Sequence, residues 1–240
     1  PRYFPTRCLT SQWSRRREYH IVKDLRNLRT AAHRERWAAR NPIDKHKIYG
    51  CQKQIMAKTI LILAANPKDT SRLRLDQEVR EIDNGLQRAQ RREFILKQVW
   101  AVRRVDFRRA MLDLEPNIVH FCGHGSGEEG IAFEDENGQA RLVSTDALTG
   151  FFELFAGKVE CVVLNACYSE VQAAAIAKHI PYVIGMKKAI GDAAAIEFAV
   201  AFYDALGAGK SVEFAHKLAC NAIQLAGISE HLTPVLKSVI

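Results

Sequence analysis

Strand-like runs that alternate with helical patterns constrain the fold of this chain more than any other feature. Short runs of this kind occupy 60–65, 93–99, 117–122, 159–164 and 182–186. Runs bounded by turn signals predict buried strands, and strands that alternate with helices predict a mostly parallel sheet. We therefore predict an α/β fold of three layers, in which helices cover both faces of the sheet.

Helical patterns fill the intervals between these runs. The apolar residues Leu75, Val79, Ile82, Leu86 and Ala89 recur at helical spacing, so they share one face of a helix. Asn137-Gly138 predicts a hairpin turn. The remaining predicted elements are helices at 105–114, from Ser144 or Thr145 to 155, at 170–179, 193–206 and 211–225, and hairpin strands at 131–133 and 141–143.

Charge divides the chain into two unequal parts. Residues 1–56 carry 14 Lys/Arg and 4 Asp/Glu, whereas the remaining residues carry 21 and 23. A basic arm of this kind can bind nucleic acid or an acidic membrane surface. The main domain has neither a basic stripe with interleaved aromatic residues nor a zinc-finger pattern, so we do not expect nucleic acid as a partner.

The change in charge coincides with a candidate domain boundary. The chain begins at Pro1, and Met56 precedes a short polar lead and the first strand-like run. We expect 1–55 to be a basic N-terminal extension: a linker, a disordered segment, a domain fragment or translated upstream sequence that is not native. We expect 56–240 to form the main domain.

The sequence also indicates the cellular compartment. It has no apolar stretch of the ~20 residues that a membrane span needs and no signal peptide at its start, so no membrane association is expected. Six cysteines without regular spacing are typical of a reducing environment. We therefore expect a cytoplasmic protein.

A histidine and a cysteine follow two successive strands of the predicted sheet. His124 lies just beyond the strand at 117–122, and Cys167 lies just beyond the strand at 159–164. Ligands of parallel sheets bind beyond the carboxyl ends of the strands, so both residues fall on the functional edge. A thiol nucleophile and its base need these two residue types, and a histidine upstream of an Ala-Cys dipeptide is similar to the caspase signature.

The surrounding residues suggest roles for this pair. Ser169 is a candidate N-cap, which would place Cys167 near the positive end of a helix dipole and favour the thiolate. His124 would accept the thiol proton and later protonate the leaving amine. The backbone N–H groups of Gly125 and Cys167 could form an oxyanion hole.

Two further residues are candidates for substrate binding. Asn165 either lines the pocket wall or makes an ordinary hydrogen bond at the end of its strand. Asp192 either caps the helix at 193–206 or lies in the pocket, or does both. A pocket aspartate would favour a basic side chain before the cleaved bond.

Two alternative sites fit less well. His120, Cys122 and His124 alternate along one extended segment and could bind a metal ion together with Cys167. We favour His120 as a hydrogen-bonded core residue, because His120 and Cys122 lie inside the predicted strand. The sequence also has no Cys-x-x-Cys pair, and we expect no metal. The glycines at 123–127 lack the Lys-Ser/Thr that a phosphate-binding loop requires.

Several segments together resemble the CHAT domain, a caspase-like cysteine protease family that is often attached to tetratricopeptide repeats. The resemblance covers about 59–226. The residues that carry it are Ile60-Leu61-Ile62-Leu63-Ala64-Ala65-Asn66-Pro67, His120-Phe121-Cys122-Gly123-His124-Gly125, Leu164-Asn165-Ala166-Cys167-Tyr168-Ser169, Ile184-Gly185-Met186, Asp192-Ala193-Ala194-Ala195 and Phe198-Ala199-Val200-Ala201-Phe202-Tyr203.

The resemblance implies a caspase-like fold with His124 and Cys167 as the catalytic dyad. It implies the Gly125 and Cys167 amides as oxyanion donors, and neither a metal nor an organic cofactor. It also implies cleavage of particular protein substrates in bacterial defence or regulated proteolysis. A regulatory partner or repeat domain would be expected, yet no repeat of ~34 residues is present in the chain.

Three functions compete at this point. The first is a cysteine endopeptidase. The second is a caspase-like signalling or interaction module that stays catalytically idle until a partner activates it. The third is a small-molecule hydrolase or transferase that uses the same dyad.

Overall fold

A six-stranded, mostly parallel sheet forms the centre of the fold in the computed structural model, which describes residues 57–89 and 93–238. The predicted extension at 1–55 lies outside the described residues. The strand order is β2-β1-β3-β6-β7-β8, and only β8 runs antiparallel to its neighbour. The strands are β1 (Lys58–Ala64), β2 (Phe94–Trp100), β3 (Ile118–Cys122), β6 (Cys161–Asn165), β7 (Tyr182–Met186) and β8 (Pro234–Ser238).

A separate two-stranded hairpin, six α-helices and a short 3-10 helix (Gly127–Glu129) complete the regular structure of the described residues. In the hairpin, β4 (Ile131–Glu134) pairs antiparallel with β5 (Ala140–Val143). The helices are α1 (Leu75–Arg88), α2 (Arg104–Leu114), α3 (Thr145–Glu153), α4 (Glu170–Ile176), α5 (Asp192–Gly207) and α6 (Val212–Leu225). None of these helices combines the length and the apolar character needed to cross a bilayer.

The sheet buries apolar side chains on both faces because successive residues of a strand point to opposite sides. Ile60 and Ile62 pack against α1, α5 and α6, whereas Leu61 and Leu63 pack against α2, α3 and α4. Each fully buried side chain of this size contributes about 1.5–3 kcal/mol of transfer free energy. The two cores confirm the predicted three-layer α/β fold.

The structure corrects the predicted elements mainly at their ends. The strands and helices lie where the apolar patterns predict them, with ends that match or are shifted by at most three residues. Ser144 and Ser211 cap α3 and α6 through their side chains, as predicted for Ser211 and as one of two options for Ser144. The edge strand β8 is not among the predicted elements. It is short, begins with proline and carries a lysine, all of which are typical of an edge position.

Candidate active site

The two loops that carry His124 and Cys167 lie against each other. Strands β3 and β6 are parallel neighbours in which Cys122 pairs with Asn165, so the following residues leave the sheet at one edge. The Gly123 N–H extends the pairing by donating to the Asn165 carbonyl at 3.3 Å. A Cβ atom at Gly125 would lie only 2.4 Å from the Cys167 carbonyl oxygen, so the two backbones are in direct contact there.

A main-chain carbonyl determines which imidazole nitrogen of His124 carries a proton. His124 Nε2 lies 2.8 Å from the carbonyl oxygen of Ser71, in the loop before α1. A carbonyl oxygen can only accept a hydrogen bond, so Nε2 is the protonated nitrogen in the neutral ring. The Nδ1 lone pair is therefore available to accept a proton, which is what a general base requires.

The loop after β7 contacts the Cys167 side chain directly. The Ile190 N–H donates to Cys167 Sγ at 3.5 Å, and Sγ lies 3.8 Å from the Ile190 carbonyl oxygen. The next residue, Tyr168, has a φ of 55° and donates its N–H to the Lys188 carbonyl at 3.2 Å. A left-handed conformation is uncommon for a non-glycine residue, and such outliers cluster at functional sites.

Two backbone N–H groups in the loops that carry His124 and Cys167 have no acceptor in the described part of the chain. Within residues 57–89 and 93–238, neither the Gly125 N–H nor the Cys167 N–H donates a hydrogen bond. Cys167 is partly exposed, so a ligand can reach this part of the chain. Pairs of unused amides next to a nucleophile are the chemical requirement for binding an oxyanion.

The predicted cap at Ser169 is confirmed in position but not in its bond. Ser169 is the N-cap residue of α4, yet its side chain makes no capping hydrogen bond. Its hydroxyl donates to the Leu164 carbonyl at 2.8 Å and accepts from the Met186 N–H at 2.9 Å. The side chain thus connects β6 to β7 below Cys167.

Burial separates the other described cysteines from Cys167. Removal from water raises the pKa of the Cys122 and Cys161 thiols, and it raises the pKa of Cys220 to about 11. Cys220 lies 3.7 Å from His216 Nε2, and burial lowers the pKa of that histidine. Cys220 and His216 therefore form a second Cys–His pair, in which both groups are held neutral.

The two candidate substrate-binding residues occupy different surroundings. The Asn165 side chain is 4% exposed and faces the core, where its amide donates to Glu78 Oε1 at 2.7 Å. Asp192 is half-buried at the first position of α5 and accepts from the Arg74 N–H at 3.2 Å. The N-cap of α5 is Gly191, so the predicted capping role of Asp192 is wrong.

The four ligands of the alternative metal site are not brought together. His120 and Cys122 point into the core beneath α1, whereas His124 contacts Ser71 at the edge of the sheet. Potential ligand atoms of Glu78, His120 and Cys122 do lie within 4.8 Å of one another. Both ring nitrogens of His120 are already hydrogen-bonded, so it is the core histidine that the sequence suggests.

Glu78 is absent from the sequence-based set of site residues. Its position carried a signal, because it lies between Leu75 and Ile82 on the apolar face of α1. A carboxylate on a buried face requires hydrogen-bond donors from its neighbours. His120 and Asn165 supply them.

An open depression of about 540 Å³ lies beside the Cys167 turn. Tyr168 and Val171 form apolar walls and are 50% and 44% exposed. Their exposure leaves room for a ligand side chain. The lining also includes Gly125, Gly127, Glu128 and Lys187.

Comparison with known protein families gives one extensive match. The sequence model of the CHAT domain family matches residues 5–225. A Roc-COR-CHAT protease from an unknown prokaryotic organism is 29% identical over 175 residues, which are 70% of this chain and 16% of that protein. A probable protease from Gillisia limnaea is 28% identical over 172 residues, again 70% of this chain and 30% of that protein. The chain therefore spans less than a third of either relative.

Two solved structures share the architecture. A secreted C11 cysteine protease from Bacteroides thetaiotaomicron, in complex with an irreversible peptide inhibitor, superposes with a TM-score of 0.53 at 16% identity and covers 75% of this chain and 63% of its own. The Drosophila initiator caspase Dronc superposes with a TM-score of 0.50 at 9% identity, covering 78% and 81%. At such identities the likeness concerns the fold, which is a caspase-like α/β fold.

Proposed function

Because the chain belongs to the CHAT domain family, we propose that it is a cysteine endopeptidase that cleaves protein substrates through Cys167 and His124. The relatives named as proteases support a peptidase activity. The observation that carries the proposal is the His124 contact with Ser71, which leaves Nδ1 as a base beside the Cys167 loop. The substrates and the setting, bacterial defence or regulated proteolysis, are part of the same proposal.

The proposed reaction needs only groups of this chain and water. The Cys167 thiol transfers its proton to His124 Nδ1, and the sulfur attacks the carbonyl carbon of the scissile peptide bond. The amides of Gly125 and Cys167 bind the resulting oxyanion. His124 then returns the proton to the leaving amine, and the C–N bond breaks to give a thioester. Water hydrolyses the thioester with His124 as base, which releases the acid and restores the thiol.

Substrate side chains have two candidate contacts. The depression beside Tyr168 and Val171 is large enough for one side chain, and its lining also carries the charged residues Glu128, Glu170 and Lys187. Asp192 follows the loop that contacts Cys167, and a basic substrate residue would compete with Arg74 for its carboxylate. Asn165 faces the core, so we now propose a structural role for it instead of contact with substrate.

The cellular compartment belongs to the proposal as well. The four described cysteines are unpaired thiols, and the proposed nucleophile works only in the reduced form. Both features favour the reducing, cytoplasmic compartment expected from the sequence. Since both matched relatives are more than twice as long as this chain, a regulatory partner or a further domain is expected to control cleavage.

Peptide-library cleavage and a thiol-reactive peptide probe test the dyad together. Cys167→Ala should abolish cleavage and probe labelling, and His124→Ala should slow both by about 10²–10⁴. The matched control is the second Cys–His pair: Cys220→Ala and His216→Ala should retain wild-type rates. Equal labelling of the wild type and Cys167→Ala, with the other cysteines blocked, would refute the proposed peptidase activity. Labelling of Cys167 without cleavage of any peptide would favour the idle, partner-activated module.

A further inference from the structure

A network of four buried polar side chains lies directly beneath the two loops of the site. Glu78, His120 and Asn165 are 3%, 0% and 4% exposed, and Tyr203 is fully buried beside them. Polar groups of this size are costly to remove from water unless hydrogen bonds replace the lost solvent. The bonds within this network are therefore a constraint on how the surrounding elements pack.

Glu78 is the central member of the network. Its Oε1 atom lies 2.9 Å from His120 Nε2 and 2.7 Å from Asn165 Nδ2. His120 Nδ1 lies 3.1 Å from the Tyr203 hydroxyl, and Asn165 Nδ2 also donates to the Ala195 carbonyl at 3.2 Å. One carboxylate oxygen thus connects two neighbouring strands.

The direction of each bond follows from the chemistry of the groups. The Glu78 carboxylate can only accept, so His120 donates to it from Nε2. In the neutral ring Nδ1 is then the acceptor, and the Tyr203 hydroxyl, whose pKa is raised by burial, donates to it. Every bond depends on a specific atom, so a shift of one strand relative to its neighbour breaks at least one of them.

Each of the four elements joined by the network precedes or follows a loop that contributes to the candidate site. Glu78 belongs to α1, whose preceding loop holds Ser71 against His124. His120 lies on β3, which leads to His124, and Asn165 lies on β6, which leads to Cys167. Tyr203 and Ala195 belong to α5, whose preceding loop holds Ile190 against Cys167.

We infer that Glu78 is a positioning residue, which fixes α1 against β3 and β6 and so holds the Ser71 loop, His124 and Cys167 in one arrangement. The inference rests on the proposed function and assigns no chemical step to Glu78. The backbone pairing of β3 with β6 sets the register of the two strands. The two directional bonds of the Glu78 carboxylate fix α1 against both strands, which non-directional apolar contacts do less well. Loss of Glu78 should therefore weaken the chemical step more than it weakens substrate binding.

The test compares three variants of helix α1. Glu78→Leu keeps a similar volume but removes both acceptor bonds, whereas Glu78→Gln keeps an Oε1 atom that can accept them. Ile82→Ala is the matched control, since Ile82 lies one turn further along α1, is fully buried and makes no polar contact with the network. Each variant is assayed for kcat and KM on one cleaved peptide, at a temperature at which it is folded by circular dichroism.

We expect kcat of Glu78→Leu to fall by about tenfold or more while its KM stays within about threefold, and Glu78→Gln to recover most of the loss. Ile82→Ala should lose stability and keep kcat. Tyr203→Phe removes only the hydroxyl that binds His120 and provides an independent test if Glu78→Leu does not fold. The kcat of Tyr203→Phe should drop severalfold.

The outcomes separate this inference from the function on which it rests. If Cys167→Ala still cleaves the peptide, the proposed function is wrong and nothing remains for Glu78 to position. If cleavage requires Cys167 but kcat is at the wild-type level in every network variant that folds, only the role of Glu78 is overturned. A loss of kcat that merely parallels the loss of stability in Ile82→Ala would overturn it too.

Discussion

Replacing Gly125 by alanine should separate the two loops of the site by a predictable distance. The added Cβ would lie 2.4 Å from the Cys167 carbonyl oxygen and 3.3 Å from Ala166 Cβ. The first of these neighbours is backbone, which cannot rotate away as the end of a flexible side chain can. One of the two loops must therefore move.

The size of the movement follows from ordinary contact distances. Unstrained contacts of a Cβ atom begin at 3.4 Å, so the loops must separate by about 1 Å. A misplacement of this size between reacting groups can cost about 10²-fold in rate, which corresponds to ~2.7 kcal/mol of activation free energy. Overpacking of this kind should lower the free energy of unfolding by about 1–3 kcal/mol.

Two other glycines make the experiment specific. Gly207→Ala places a methyl group 2.9 Å from Ala89 Cβ at the far end of α5, so it tests overpacking away from the site. Gly150→Ala adds a methyl group with nothing within 4 Å in the interior of α3 and should gain about 0.5–1 kcal/mol of stability.

The assay measures kcat on a cleaved peptide and unfolding in urea for all three variants. We expect only Gly125→Ala to lose activity out of proportion to its stability. A kcat within twofold of the wild type for Gly125→Ala, or equal losses in Gly125→Ala and Gly207→Ala, would refute the reasoning.

Two further predictions concern the thiols and a helix start. Iodoacetamide at neutral pH should modify Cys167 before Cys122, Cys161 or Cys220, because burial raises the pKa of the last three thiols. Site-resolved mass spectrometry measures the order, and faster modification of any of these three cysteines would contradict the prediction. Asp106 should stabilise the start of α2 only when ionised, since its hydrogen bond with Arg103 lowers the Asp106 pKa. The folded-state pKa of Asp106 is below the unfolded value of about 4. The difference in free energy of unfolding between wild type and Asp106→Asn should therefore be full above about pH 5 and shrink as the pH falls through the folded-state pKa. A difference that does not depend on pH would count against the ion pair.

Much of the fold was predictable because its signals are local. The apolar runs at 60–65, 117–122 and 182–186 have no other stable place than a sheet covered on both faces, and the structure puts strands there. The positions of His124 and Cys167 beyond neighbouring strands follow from the same reasoning, since parallel strands end at a common edge. The prediction that both residues lie at one edge does not depend on knowing which side chains contact each other.

The remaining features depend on contacts between distant parts of the chain. Ser71 supplies a carbonyl oxygen, an atom that every residue has, so no residue type marks it in the sequence. Asp192 and Ser169 both look like helix caps, yet Arg74 and the backbones of β6 and β7 offer them other partners. The strand β8 forms because β7 has an open edge, and its own five residues carry too weak a pattern to predict it.

The acceptor that orients His124 belongs to the main chain, so mutational scanning of side chains cannot detect its role. No substitution at position 71 can delete the carbonyl oxygen, so an alanine scan would pass over the residue with little effect on turnover. Insertion or deletion of one residue between β1 and α1 would move that oxygen and rotate the imidazole. For the contact with His124, the length of this connection matters more than the side chain at position 71.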